Sequence, residues 1–223
     1  MTRSALVLTT TLLVTSPVSA LHSMYFSKAT GTEYAWQLKG TGGNWLFSFE
    51  DTAIVVDGSI PGDPTLVGDF VLLPDMMLSG VTDFGTHLTA TLSPTEPLAI
   101  RSNPGGSTVM TASLKPAGVL IIGTTLMAYS QLRDDLDVTS FDDTYGTFIP
   151  ALGAMENAGL PVDISFSGDR KGGGDLRSLI LSGSGDAEGT LSGQITVIPA
   201  PEALALASLG AAAVCWSRLR RRA

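Results

Sequence analysis

Five aspartates, Asp134, Asp135, Asp137, Asp142 and Asp143, fall within ten residues and form the densest group of side chains able to do chemistry. Calcium takes six to eight oxygens at about 2.3–2.6 Å, and clustered carboxylates with backbone carbonyls can supply them, so Ca2+ is the one cofactor that the sequence suggests. The spacing departs from the twelve-residue Asp-x-Asp/Asn-x-Asp/Asn-Gly loop of helix–loop–helix calcium sites. The same aspartates also read as a solvated acidic loop, or, less simply, as a carboxylate pair for acid–base work.

Other groups offer less. Gly168–Asp175 (GDRKGGGD) has the glycines of a phosphate loop, but Lys171 precedes Gly172–Gly174 where such loops place it after them. A polar hairpin loop between Phe166 and Leu176 is the expectation. Beyond the leader the chain has two histidines, His22 and His87, and lacks a Gly-x-Ser-x-Gly elbow. Two histidines make a zinc site improbable, since such sites need three or four suitable ligands. The sequence therefore reads as non-catalytic, with no catalytic residue assigned. A secreted hydrolase is the alternative, and it hinges on His87 coming within about 3 Å of a carboxylate or hydroxyl in a cleft.

Trp36, Trp45, Tyr129 and Tyr145 are the aromatics that could stack on pyranose faces and hold a carbohydrate. Against that, Trp36 and Leu38 share one parity, and Trp45, Phe47 and Phe49 another, as buried strand residues do.

The elements that would carry these residues are short and strand-like. Tyr34–Leu38 and Trp45–Phe49 predict a hairpin across the turn Gly40-Thr41-Gly42-Gly43. Ala53–Val56, Leu66–Leu73, Gly80–Phe84, His87–Leu92 and Val109–Leu114 follow as strands broken by glycine, proline and polar loops. Gly118–Met127 is apolar on both parities, as for one strand buried on both faces or a short buried helix, and Gly118, Gly123 and Thr124-Thr125 favour the strand. Leu132 and Leu136 allow one or two helical turns in Gln131–Asp137, and Pro150 and Gly159 bracket a short helix at Ala151–Ala158. Val162–Ser167, Leu176–Ser182 and Thr190–Ile198 read as three closing strands. The expected fold is all-β: a single β-sandwich or jelly-roll-like domain over residues 21–198, with one or two short helices.

Charge narrows the partners. The chain carries 13 Lys or Arg against 21 Asp or Glu. Removing Arg3, the four arginines at positions 218–222 and Glu202 leaves eight cations and twenty anions, a net charge of −12 for the domain. Nucleic acid is excluded as a partner on that charge, because its phosphates need basic neutralisation. The single cysteine, Cys215, lies outside the domain, which is therefore built without disulfides.

The two ends differ in kind from the middle. Met1–Ala20 has a basic residue at Arg3, an apolar run over Ala5–Val14 and the small-residue site Val18-Ser19-Ala20, so signal peptidase is expected to cut after Ala20. At the other end, residues 199–223 divide into a Pro199–Glu202 turn, an uncharged run from Ala203 to Trp216, and a basic end at Arg218, Arg220, Arg221 and Arg222. That layout predicts a C-terminal hydrophobic helix with an arginine membrane stop.

In its three parts this tail resembles a PEP-CTERM sorting signal. The motif residues are Pro199, Pro201 and Glu202, within Ile198-Pro199-Ala200-Pro201-Glu202 where the usual order is Val-Pro-Glu-Pro. The resemblance implies processing by an exosortase-like enzyme, transient anchoring in the inner membrane, and release to the cell surface or beyond. It also implies a bacterium that makes extracellular polysaccharide, and so a surface, matrix or biofilm component, with a polysaccharide-binding module as the alternative.

Overall fold

The computed structural model describes residues 22–60, 62–103, 106–129 and 136–197, although nothing is described of the Tyr129 side chain. These hold fourteen strands and two helices. In chain order the strands are β1 (Ser23–Lys28), β2 (Trp36–Thr41), β3 (Asn44–Phe49), β4 (Ile54–Ile60), β5 (Phe70–Leu72), β6 (Met76–Asp83), β7 (Leu88–Pro94), β8 (Leu98–Arg101), β9 (Thr108–Leu114), β10 (Ala117–Ile122), β11 (Thr125–Tyr129) and β12 (Leu136–Phe141). Helix α1 (Phe148–Asn157), β13 (Val162–Arg170), α2 (Leu176–Leu181) and β14 (Gly185–Val197) complete the order.

The long pair β13–β14 organises the rest. The two strands run antiparallel in unbroken register from Val162 opposite Val197 to Arg170 opposite Gly189. Each is long enough to carry two strands end to end on its outer edge. Along β14 these are β2, opposite Gly185–Gly189, and β1, opposite Ser192–Thr196. Along β13 they are β11, opposite Phe166–Asp169, and β12, at Val162. The pairings therefore fork at both edges and return to the central pair. One closed circuit runs β14-β2-β3-β6-β7-β10-β11-β13 and the other β14-β1-β4-β5-β8-β9-β12-β13. Every pairing is antiparallel, and short turns join β2 to β3, β6 to β7 and β10 to β11.

This corrects the expected β-sandwich or jelly roll. Two stacked sheets would leave four edges, whereas here one hydrogen-bonded network closes on itself through β13 and β14. The inner faces of both circuits contribute to one contiguous core, which includes Trp36, Leu38, Trp45, Phe47, Phe26, Leu92, Ile100 and Ile121.

Two glycines on the inner face of β14 make the close packing possible. A Cβ at Gly189 would run into the Asp169 carbonyl and the Trp36 ring. One at Gly193 would meet the Ser165 carbonyl at 2.5 Å and Phe26 at 2.6 Å. Without these side chains, Trp36 lies across the strand pair and donates its indole N–H to the Thr190 carbonyl at 2.7 Å.

The helices close gaps that strands leave open. Helix α1 buries Phe148, Ile149 and Leu152, and Gly159 just beyond it takes φ +73°, the left-handed end that glycine permits. Helix α2, expected as a strand, forms because Asp175 caps it, accepting from Arg177 N and Ser178 N, while Leu176 and Ile180 bury one face four residues apart. Leu176 N–H donates to the Gly123 carbonyl in the β10–β11 turn, and Gly43 N–H in the β2–β3 turn donates to the Gly183 carbonyl, each bond 2.8 Å or shorter. Arg177 pairs with Asp83 at the end of β6 at 2.7 Å. Helix α2 thus ties three corners of the first circuit.

Two further expectations are corrected. Among the described residues no helix is long and apolar enough to cross a membrane. The C-terminal transmembrane helix expected at Ala203–Trp216, its arginine stop at 218–222 and the sorting motif at 199–202 all lie outside the described residues. Transient anchoring in the inner membrane rested on that helix and is withdrawn with it. The Ala20 cleavage site also lies outside the described residues.

Candidate functional site

Alternation along the central strands puts serine where surface strands more often carry charge. On β13, Val162, Ile164 and Phe166 face the core, which turns Ser165 and Ser167 outward. On β14, Leu191 and Ile195 face in, and Ser192 and Gln194 turn out. On β1, Met24 and Phe26 face in, and Tyr25 and Ser27 turn out. Register then assembles two rows across the sheet. Tyr25, Gln194 and Ser165 lie opposite one another in the first, and Ser27, Ser192, Ser167 and Met127 in the second.

The result is a trough of about 530 Å³ on the outer face of β11, β13, β14, β1 and β4. Its volume lies within the roughly 300–1,000 Å³ of ligand clefts. Ser165, Ser167 and Ser192 are among the residues that line it, and the Ser167 and Ser192 hydroxyls stand 3.4 Å apart. Tyr25, Gln194 and Met127 line it too, Tyr25 being 38% and Met127 44% exposed. Its exposed lining is mainly apolar, and the hydroxyls of Ser165, Ser167 and Ser192 with the Gln194 amide supply donors and acceptors within it. It suits a ligand that is itself dense in hydroxyl groups and has apolar C–H faces.

The residues singled out from the sequence lie elsewhere. Trp36 and Trp45 are each 1% exposed and pack in the core, where Trp36 meets Phe47 at 5.5 Å between ring centroids. The Tyr129 side chain lies outside the described residues. Tyr145 is half-buried and donates its hydroxyl to both oxygens of Asp69, at 3.0 and 2.9 Å. Burial, and then the bond to Asp69 with the neighbouring carboxylates, pushes the Tyr145 phenol up to about 12. These aromatics do not come together as a platform.

Tyr145 belongs instead to a polar knot of loops. Asp69 is fully buried and also accepts from Asn103 N at 3.0 Å. Burial raises its carboxyl above the usual range against the pull of those bonds. Asp63, also buried, accepts from Thr147 N at 2.6 Å, Phe148 N at 2.8 Å and Thr65 N at 3.0 Å. Burial works to raise it too, but these bonds outweigh burial and bring it down to about 2.

Of the five aspartates, Asp134 and Asp135 lie outside the described residues. Asp137 is exposed on β12, opposite Ser113. Asp142 and Asp143 sit in the turn beyond it, where Asp142 accepts from the Thr144 hydroxyl at 2.7 Å and the Thr144 N–H at 2.9 Å. Among the described residues no group of three or more His, Cys, Asp or Glu side chains is placed to hold a metal ion. His87 lies at the β6–β7 turn, its ring stacked on Phe84 at 5.0 Å and its Nδ1 3.0 Å from the Thr86 hydroxyl.

The trough was missed in the sequence because its residues are individually ordinary. The available signal was parity: serine recurs on the polar face of three strands that prove to be neighbours. No family model matches the chain, and no curated protein or solved structure matches it either.

Proposed function

We propose that this is a non-catalytic extracellular surface or matrix protein that holds polysaccharide in the trough over β11, β13, β14 and β1. The observation that carries the reading is a trough lined by Ser165, Ser167, Ser192 and Gln194 together with Tyr25 and Met127. Sugar hydroxyls can bond to the serine hydroxyls and the Gln194 amide, and the Tyr25 ring offers an apolar face to pyranose C–H groups. The leader-like Met1–Ala20, the acidic domain and the sorting-signal-like residues 199–223 support an extracellular role, with signal peptidase and an exosortase-like enzyme as processing partners.

Affinity electrophoresis tests it directly. The domain is run through native gels cast with a neutral glucan, an amino glycan or a uronate polymer. At least one polymer should retard it, and Ser167→Tyr, which fills the trough from an outward position, should abolish the retardation without lowering the melting temperature. Equal mobility in all gels, or equal retardation of the stable variant, would overturn the proposal.

A further inference from the structure

The trough has a charge asymmetry, and it comes from a backbone irregularity. On β4, Val56 pairs with Phe26 and Gly58 with Tyr25, so Asp57 is the extra, unpaired residue of a β-bulge. Bulges re-aim side chains, and this one leaves Asp57 exposed at the edge of the trough beside Tyr25. Among the described residues lining the trough, Asp57 is the charged one.

Several of the domain's cations are engaged elsewhere. Lys171 pairs with Glu33 at 2.9 Å and Glu188 at 3.3 Å, Arg177 pairs with Asp83, and the Lys28 ammonium donates to the Thr32 carbonyl at 2.7 Å. A uronate chain entering the trough would meet a carboxylate on the rim and the field of a strongly acidic domain. An amine on the same sugar scaffold would meet an acceptor of opposite charge.

We infer that the trough selects glycans bearing free amino groups over neutral ones, and neutral ones over uronates, with Asp57 as the residue that discriminates. This rests on the polysaccharide-binding reading. An exposed ion pair contributes about fivefold in affinity at most, shrinking with salt.

Calorimetric titration with short oligomers of glucosamine, N-acetylglucosamine and galacturonate separates the two claims. It is run in low salt, at a pH where the amines are protonated. Glucosamine oligomers should bind up to about fivefold more tightly than their N-acetylated counterparts, and galacturonate most weakly. Asp57→Asn should narrow the preference for the amine, read as the ratio of the affinities for the glucosamine and N-acetylated oligomers. Tightest binding of galacturonate, or a preference for the amine that is undiminished in Asp57→Asn, would overturn the inference and leave the binding reading standing. Failure of all three to bind would overturn both.

Discussion

The carboxylate of Asp63 lies 2.8 Å from the backbone nitrogen of Phe148, 85 residues further on, and caps a helix that its own N-cap residue leaves uncapped. Thr147 makes no capping bond with its side chain; Asp63 takes the N–H groups of Thr147 and Phe148 together. Gly146, at φ +63°, leaves room for it, since a Cβ there would meet the Asp63 carboxylate at 2.5 Å. One side chain thus joins the β4–β5 loop to α1 and seats that helix in the core.

Asp63→Ala should cost about 3 kcal/mol, because it strands the buried Phe148 N–H and the part-buried N–H groups of Thr147 and Thr65 that a charged acceptor now satisfies. The pH dependence has a definite sign. The Asp63 carboxyl is held below its ordinary value, at about 2, so its contribution is complete above the ordinary value and is lost as pH falls from about 4 to about 2. That contribution is about 2 kcal/mol at neutral pH. Melting curves across this window should slope for the natural protein and flatten for Asp63→Asn.

The Tyr145–Asp69 pair acts at the opposite end of the scale. With its phenol pushed up to about 12, Tyr145 keeps its proton in the folded state at pH values where the unfolded chain has lost it. Stability should therefore fall as pH rises from about 10 towards 12, and Tyr145→Phe should flatten that limb. Asp69→Asn keeps an acceptor for Asn103 N–H and the Tyr145 hydroxyl and relieves the burial of a carboxylate. It should cost less than Asp69→Ala, for which about 1–3 kcal/mol is expected from the donors left unpaired. Denaturant unfolding of the two variants ranks them.

Gly193→Ala probes the central strand pair. The added methyl would meet the Ser165 carbonyl and two phenylalanines, Phe26 and Phe166, within 2.7 Å. A loss of about 1–3 kcal/mol is expected from forced displacement of β13 against β14. Alanine at Gly58, where open space surrounds the site and φ is not positive, is the control and should change the melting temperature little.

Much of the strand pattern was legible because alternation is a local signal. Trp36 and Leu38 with Trp45 and Phe47 specify the β2–β3 hairpin, and Leu38 pairs with Phe47 across it. Where local signals compete, the reading failed. Gly118–Met127 looked like one strand, but Gly123 at φ +57° turns it into the β10–β11 hairpin. Leu176–Ser182 looked like a strand because its residues are apolar on both parities, yet the Asp175 cap decides for helix. The closed circuits were not legible at all. They depend on the length of β14, whose first half, Gly185–Gly189, reads locally as a glycine-rich loop and becomes a strand by pairing with β2. The trough was hidden for the same reason, since Tyr25, Ser167 and Ser192 are brought together from distant stretches by register alone.

Chemical-shift mapping of the backbone amides during titration with N-acetylglucosamine oligomers tests the central claim most directly. Shifts are predicted at Tyr25, Ser165, Ser167, Ser192 and Gln194, saturating together, with the core amides around Trp36 and Trp45 unmoved. An unchanged spectrum, or shifts confined to the exposed apolar residues Phe84, Ile122 and Leu181, would contradict it.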